Sequence, residues 1–141
     1  MIILETQTEV KADLKLLEEI LTALKVTKDI ELLLVENSVI EDLNREYRGK
    51  DAPTDVLSFP LQDIKGAPLG SIVISTDKAK ELSQKLGHRV NDEIALLFTH
   101  GLLHLLGYDH ECDSGEMRRL EKELIEKFNL PDSLIVRSEG I

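Results

Sequence analysis

The chain has 141 residues, of which 42% are apolar and 31% charged, and its formal net charge at pH 7 is −10. This size and composition are typical of one folded domain and exclude a disordered tail. No apolar run approaches the roughly 20 residues of a membrane span, and the N-terminus lacks a secretory signal. The single cysteine, Cys112, excludes an internal disulfide. We therefore expect one domain over residues 1–141, located in the cytoplasm.

The acidic charge is distributed unevenly along the chain. Residues 1–43 and 91–141 each carry a net charge of −6, whereas residues 44–90 carry +2. A strongly acidic protein is not expected to have a broad nucleic-acid-binding surface. Only the middle of the chain offers local attraction for phosphate groups.

The first part of the chain predicts two strands that alternate with two helices. Short apolar segments at residues 2–6 and 30–35 predict strands, the second of them covered on both faces. Ser38 followed by Glu41 has the spacing of a capping box, which predicts a helix from Ser38 to about Tyr47. The helix between the strands is predicted by apolar residues three or four positions apart: Val10, Leu14, Leu17, Leu21 and Leu24.

Two further strands are predicted at residues 56–59, closed by Pro60, and at residues 72–74. The short connection between them suits an antiparallel pair, so a purely parallel sheet is not expected. With the element order β-α-β-α-β-β-α-α-α, the sequence predicts an α+β (α/β-like) fold. We expect a single domain in which helices flank a mixed sheet of about four strands.

Three helices are predicted to follow the last strand. The first follows capping side chains at residues 75–77. Asn91 is expected to cap the second, residues 94 to about 106, which is apolar nearly all round and must be buried. The third is amphipathic over residues 117–128, and residues 131–141 are expected to form a loosely held tail.

Three of the four histidines lie close together, at His100, His104 and His110. His100 and His104 are four apart, so they point from the same face of the predicted buried helix. Gly107 can end that helix and turn the chain back, which allows His110 to return to the same point. Burying three imidazoles together is costly unless their nitrogens are satisfied. We therefore predict one zinc ion per chain at the end of this helix, with an open fourth position as in catalytic sites.

The histidine spacing is that of the metzincin metalloproteases. Those enzymes need a glutamate directly after the first histidine to act as general base. Gly101 occupies that position here and has no side chain. The ligand spacing is therefore retained without the protease base, and peptide hydrolysis by the usual route is not expected.

Three side chains near the histidines in sequence allow more than one interpretation. Asp109 either orients a histidine ring or caps the turn after the helix. Cys112 is a plain thiol or a further zinc ligand, and the first is favoured because three histidines suffice for a catalytic site. Glu93 could lie near the metal, but its position does not match that of the expected base.

Two blocks of this sequence, about forty residues apart, resemble the signature of the YbeY-type endoribonucleases. That family comprises metal-dependent bacterial proteins of ribosomal RNA maturation. The blocks are HGLLHLLGYDH at residues 100–110 and NREYRGKDAPTDVLSFP at residues 44–60. One departure is visible, because the family often has Gly-Asp where this chain has Gly70-Ser71, so no role of that aspartate is carried over.

The resemblance implies a mixed four-stranded sheet with flanking helices, a functional arginine at Arg48, and zinc held by His100, His104 and His110. It implies a metal-dependent hydrolase domain that acts as a single-strand-specific, zinc-dependent endoribonuclease. Its expected roles are ribosomal RNA maturation and 70S ribosome quality control. Its expected partners are single-stranded RNA precursors and the ribosome or ribosomal proteins, with no membrane and no DNA.

Phosphodiester chemistry fits the two blocks. Zinc can polarise a phosphate or lower the pKa of a bound water to about 7, and an arginine can hold two phosphate oxygens. Arg48 lies in the segment with a positive balance, although it could instead be an ordinary cation at a helix end. His88 and Arg89 could contact an RNA backbone, but a solvated turn is favoured for them.

Two alternatives to the ribonuclease remain at the level of sequence. One is a metallohydrolase of another substrate, for which Gly101 argues against a peptidase. The other is a ribosome-associated protein in which zinc has no catalytic role. The negative net charge favours the second alternative slightly, because such a protein would approach RNA through protein partners.

Overall fold

Four strands form among the described residues, at the positions that the sequence predicts within one or two residues. They are seen in a computed structural model that describes residues 1–50, 54–61, 66–109 and 112–131. The remaining residues of the predicted C-terminal tail, 132–141, lie outside the described residues. The strands are β1 Ile2–Thr6, β2 Ile30–Val35, β3 Val56–Pro60 and β4 Gly70–Ser75.

The strands form one mixed sheet in the order β1-β2-β4-β3. Strands β1, β2 and β4 are parallel, and β3 pairs antiparallel with β4, with Val56 opposite Ile74. The prediction of a mixed, four-stranded sheet is therefore confirmed. Strand β2 is covered on both faces as predicted, because Leu32 packs in the main core while Leu33 packs against a second cluster on the other face.

Five helices in the described part of the chain flank the sheet in the predicted order, so the α+β prediction is confirmed. The helices are α1 Leu14–Ala23, α2 Asn37–Arg48, α3 Thr76–Leu86, α4 Val90–Leu105 and α5 Glu116–Phe128. Helix α2 covers one face of the sheet through Ile40, which packs with Leu57 of β3 and Val73 of β4. Helices α1 and α4 pack in the main core on the other face. No helix among the described residues is long and apolar enough to cross a membrane.

Two helix starts differ from the prediction. Helix α2 begins at Asn37, so Ser38 lies inside the helix rather than capping it. The Asn37 N–H donates to the Asp77 carboxylate at 2.8 Å, and a side chain 40 residues away therefore satisfies this helix end. Asn91 likewise lies inside α4, where its side-chain oxygen accepts a hydrogen bond from the Asp13 N–H at 3.2 Å.

The N-terminus of α4 is capped by a different pair. The Arg89 N–H donates to the Asp92 carboxylate, and this acidic residue in the first turn complements the helix dipole. The same carboxylate accepts hydrogen bonds from the Arg89 side chain, which raises the pKa of this exposed guanidinium. The Arg89 side chain is thus hydrogen-bonded to a carboxylate of the helix that it caps.

Helix α4 is buried nearly all round, as its apolar sequence predicts. It approaches the sheet so closely that a side chain would clash at one glycine and be tightly packed at another. A Cβ atom on Gly70 would lie 2.6 Å from the Leu105 side chain and 2.7 Å from the Phe59 carbonyl oxygen. A Cβ atom on Gly101 would lie 3.1 Å from the Ile72 side chain. The C-terminal half of α4 therefore lies directly on β4.

We expect Gly70→Ala to lower the free energy of unfolding by about 1–3 kcal/mol, since the backbone oxygen that the new methyl group meets cannot move freely. Ser71→Ala is the matched control, because it adds no atoms at the neighbouring position of β4 and should change stability by less than about 0.5 kcal/mol. Chemical denaturation measures both. Equal stability of Gly70→Ala and wild type would show that α4 does not constrain this position.

Candidate metal centre and its cleft

His100 and His104 lie one turn apart on α4 and converge on one point. Their Nε2 atoms are 3.2 Å apart, and their ring centroids are 4.8 Å apart. This is the arrangement that the four-residue spacing predicts for two side chains on one helix face. His110, the third predicted ligand, lies outside the described residues.

A buried carboxylate orients the first of these rings. The Nδ1 atom of His100 lies 3.0 Å from Oε2 of Glu121, whose side chain is fully buried on α5. Sequence reasoning missed Glu121 because it stands among many acidic residues of an amphipathic helix. A signal was nevertheless present, since Glu121 falls on the apolar face of α5 between Met117 and Leu124. A carboxylate in that stripe needs a buried partner.

The main chain orients the second ring. The Nδ1 atom of His104 lies 3.0 Å from the Tyr108 carbonyl oxygen. That oxygen returns to the histidine because Gly107 adopts a left-handed conformation, φ +97°, as predicted for the end of this helix. A carbonyl oxygen only accepts hydrogen bonds, so the His104 proton resides on Nδ1. In the neutral ring, Nε2 then carries no proton, and its lone pair can bind a metal ion.

These contacts fit a cation at the point where the two rings meet. A carboxylate at His100 Nδ1 also favours the proton there, which leaves two Nε2 lone pairs facing each other at 3.2 Å. Two nitrogens bound to one tetrahedral zinc ion lie roughly 3.3 Å apart, given zinc–nitrogen distances near 2.0 Å. Among the described residues, which exclude His110, no group of three side chains could hold a metal ion. The described part of the chain thus supplies two ligands of suitable geometry.

The two histidines open onto a cleft of about 380 Å³ that also contains the predicted arginine. Arg48 is the last residue of α2, and Gly49 follows it in a left-handed conformation, φ +68°. The structure therefore brings Arg48, His100 and His104 together from the two sequence blocks. The residues that line the cleft are Arg48, Val56, Ser58, Pro60, His100, Gly101, His104 and Asp109.

The Arg48 guanidinium makes no salt bridge with the described residues, whereas the neighbouring Arg45 pairs with Glu41 and Asp42. Arg48 is also exposed to solvent. Its positive charge is therefore available to an anion that enters the cleft. The catalytic role of Arg48 itself stays a prediction.

The other side chains discussed from sequence have different surroundings. His88 lies in the predicted turn before α4, but its ring is not solvated, because its Nε2 atom lies 2.7 Å from Oε1 of the fully buried Glu93. Glu93 lies in the first turn of α4, about two turns before His100, and its carboxylate meets His88 there. The Asp109 carbonyl accepts hydrogen bonds from the backbone of the following turn, and Cys112 is exposed.

Gly101 has a packing reason to lack the glutamate of a metalloprotease. It faces the cleft between the two histidines, and any Cβ atom would press against β4 and Val56 of β3. A side chain at this position would require Ile72 to shift by a few tenths of an ångström. The close contact between α4 and the sheet thus favours glycine over the protease glutamate here.

Strand β3 forms one wall of the cleft and is the edge strand of the sheet. The Ser75 N–H donates to the Asp55 carbonyl at 2.9 Å, and the Leu61 N–H donates to the Leu69 carbonyl at 3.2 Å. In an antiparallel pair, alternate residues face the partner strand. The odd-numbered residues of β3 therefore face β4, and the even-numbered residues direct their backbone groups away from the sheet.

The outer edge of β3 offers few donors to an additional strand. The outward Val56 N–H donates to the Asp55 carboxylate at 2.9 Å, and Pro60 has no N–H. Within the described part of β3, the Ser58 N–H is therefore the one outward-pointing N–H that makes no hydrogen bond. The outer edge of β3 is therefore poorly suited to pairing with the backbone of a peptide.

Comparisons with known proteins identify the relatives of this α+β fold. The family model described as Endoribonuclease YbeY matches residues 3–129. The endoribonuclease YbeY of Nautilia profundicola is 56% identical over 99% of both chains, and that of Aliarcobacter butzleri is 57% identical over 98% of this chain and 99% of its own. A Thermotoga maritima protein solved in solution matches 91% of this chain and 89% of its own with a TM-score of 0.62 and 31% identity.

The chain belongs to the YbeY endoribonuclease family. The resemblance inferred from the two sequence blocks is therefore confirmed.

We expect Glu121→Leu to lower the free energy of unfolding by about 1–3 kcal/mol, since it leaves the buried His100 Nδ1–H without this acceptor. Glu121→Gln should cost less because its amide oxygen can still accept that hydrogen bond. Denaturation in the presence of a chelator measures both without a contribution from metal. The exposed Glu123→Gln on the same helix is the control, and an equal effect of all three substitutions would contradict this role of Glu121.

Proposed function

We propose that this chain is a zinc-dependent endoribonuclease that cuts single-stranded RNA in the cytoplasm. Its proposed roles are ribosomal RNA maturation and 70S ribosome quality control. Membership of a family whose relatives are named endoribonucleases supports the activity on RNA. The observation that carries the proposal for this site is the placement of Arg48, without a salt bridge to the described residues, in the same cleft as His100 and His104.

Cleavage of a phosphodiester requires that negative charge on the phosphoryl oxygens be stabilised. The Arg48 guanidinium can hold two of these oxygens through parallel hydrogen bonds and stays charged at any physiological pH. In a chain of net charge −10, an arginine that no described carboxylate neutralises is a specific point of attraction for a phosphate. Arg48 would therefore bind the scissile phosphate and orient it in the cleft.

His100 and His104, with His110 as the predicted third ligand, would hold the zinc ion. A zinc ion bound there supplies Lewis acidity toward a phosphate group. Glu121 keeps the proton of His100 on Nδ1, and the Tyr108 carbonyl does the same for His104. Each partner fixes one ring and keeps its Nε2 atom available as a ligand.

A peptide substrate fits this cleft less well than RNA. Peptides commonly bind beside a sheet by adding a strand through main-chain hydrogen bonds. The outer edge of β3 offers only the Ser58 N–H among its described donors, and Gly101 has no side chain that could act as the protease base. These two features favour a nucleic acid over a peptide as the substrate.

The ribosome or ribosomal proteins are proposed as partners because the protein as a whole repels a polyanion. Two of its three sequence segments are strongly acidic. Contacts with a basic ribosomal protein would offset this repulsion and bring the RNA to Arg48. The same charge distribution supports the second candidate, a ribosome-associated zinc protein without catalysis.

We expect cleavage of a single-stranded RNA to disappear in His104→Ala and in chelated wild-type protein, since both remove the bound cation. Activity should return when zinc is added to the chelated wild type but not to His104→Ala. The exposed Glu123→Gln serves as a control with unperturbed activity. A metal-loaded wild type that binds ribosomes but leaves RNA intact would favour the non-catalytic candidate.

We expect Arg48→Glu to lower kcat/KM on RNA by about 10²-fold or more, because a donor to the phosphate is replaced by a repelling charge. Arg48→Lys should lose less because it retains the charge but not the paired hydrogen bonds. Binding measured across salt concentrations should show a slope reduced by roughly 0.7 in Arg48→Gln, as expected for one lost phosphate contact. An unchanged slope would contradict direct contact between Arg48 and the RNA backbone.

A further inference from the structure

Tyr47 is an exposed aromatic residue directly before Arg48 in the last turn of α2. Its side chain is among the most exposed large apolar groups of the protein, at 62%. The ring centroid lies 5.3 Å from that of Phe59, with the ring planes inclined by 66°. This contact with Phe59 holds the Tyr47 ring in place. Most of the ring nevertheless faces solvent.

Tyr47 and the cleft lie on opposite sides of the same edge strand. Ser58 and Pro60 of β3 line the cleft, whereas Phe59 packs in the cluster on the α2 face of the sheet. Residues of a strand alternate between the two faces, so the thickness of one strand separates Tyr47 from the cleft. A flexible chain that leaves the cleft over the edge of β3 therefore arrives at Tyr47.

The edge between the two sites suits an anionic chain better than a protein strand. The Ser58 N–H points outward from the middle of this edge, and Val56 and Pro60 offer no further donor. Lys50, like Arg48, makes no salt bridge with the described residues, so the end of α2 carries two available cations. The Ser58 N–H can donate a hydrogen bond to a phosphate oxygen, and Arg48 lines the same cleft, while repeated pairing with a peptide is blocked.

We propose that the RNA strand crosses the outer edge of β3 and that Tyr47 stacks on the base next to the nucleotide whose phosphate lies at Arg48. This inference rests on the proposed ribonuclease function. Stacking on an aromatic ring requires an unpaired base, since the faces of bases in a duplex are already covered. Tyr47 is thus a specificity-determining residue that selects single-stranded RNA and positions it, without taking part in the chemical step.

Kinetics on a single-stranded oligoribonucleotide test this role. Tyr47→Ala should raise KM about tenfold and leave kcat within about twofold, since one base–aromatic stack is lost. Tyr47→Phe should resemble the wild type because stacking does not use the hydroxyl. Tyr47→Leu should also raise KM as Tyr47→Ala does, because leucine has no aromatic face on which a base can stack. Since leucine retains apolar contact with Phe59, this variant separates stacking from packing. A wild-type KM in Tyr47→Leu or Tyr47→Ala would overturn the proposal.

Fluorescence tests the stack without reference to activity, because the chain contains no tryptophan. The variant Tyr47→Trp in a His104→Ala background, which prevents cleavage, should lose emission on binding single-stranded RNA and lose much less with a duplex. Leu86→Trp in the same background is the control, since Leu86 is 49% exposed at the end of α3, outside the residues that line the cleft. Equal quenching of the two tryptophans, or none at position 47, would overturn the proposal.

The two proposals fail in different ways. RNA that stays intact with the metal-loaded wild type contradicts the ribonuclease function, whereas cleavage with an unchanged KM in Tyr47→Ala contradicts the stacking role alone. A lower melting temperature of Tyr47→Ala together with a lower kcat would assign Tyr47 to the fold and overturn its role in specificity.

Discussion

The close approach of α4 to the sheet determines where the cleft can form. At Gly70 a single methyl group would clash with Leu105 of the helix and with the Phe59 carbonyl oxygen, and at Gly101 it would press on Ile72 of β4. His100 and His104 flank Gly101 and are thereby held beside the edge strand β3, where Arg48 lines the same cleft from α2. The same contact that buries the helix favours glycine between the histidines. Core packing and the chemistry available to the site are therefore set together.

A helix buried on nearly every side must satisfy its polar side chains inside the protein. Glu121 meets His100 in the second half of α4, and Glu93 meets His88 in the first turn. Both carboxylates are fully buried. Such pairs contribute little net stability, but each has a directional contact that specifies one arrangement. The contact with Glu121 joins α4 to α5 and orients the His100 ring, and hence the direction in which its Nε2 atom points.

Periodicity in the sequence predicts the element order, the mixed sheet and the shared face of His100 and His104, because these depend on local spacing. Helix starts were predicted less well, since Asp77 satisfies the start of α2 from a distant part of the chain, and the Arg89–Asp92 pair rather than Asn91 caps α4. Glu121 was missed for a related reason. Its role depends on packing between α4 and α5, and the only local signal is its place in an apolar stripe. The grouping of Arg48 with the histidines required the fold itself.

The charge distribution, combined with the position of Arg48, determines how a polyanion meets this protein. At physiological ionic strength, charges are screened beyond about 8 Å, so an approaching nucleic acid senses first the acidic surface nearest to it. Local attraction is available at the end of α2, where Arg48 and Lys50 make no salt bridge with the described residues. A net charge of −10 together with these two cations favours encounters in which a polyanion first meets this end of α2, beside the cleft.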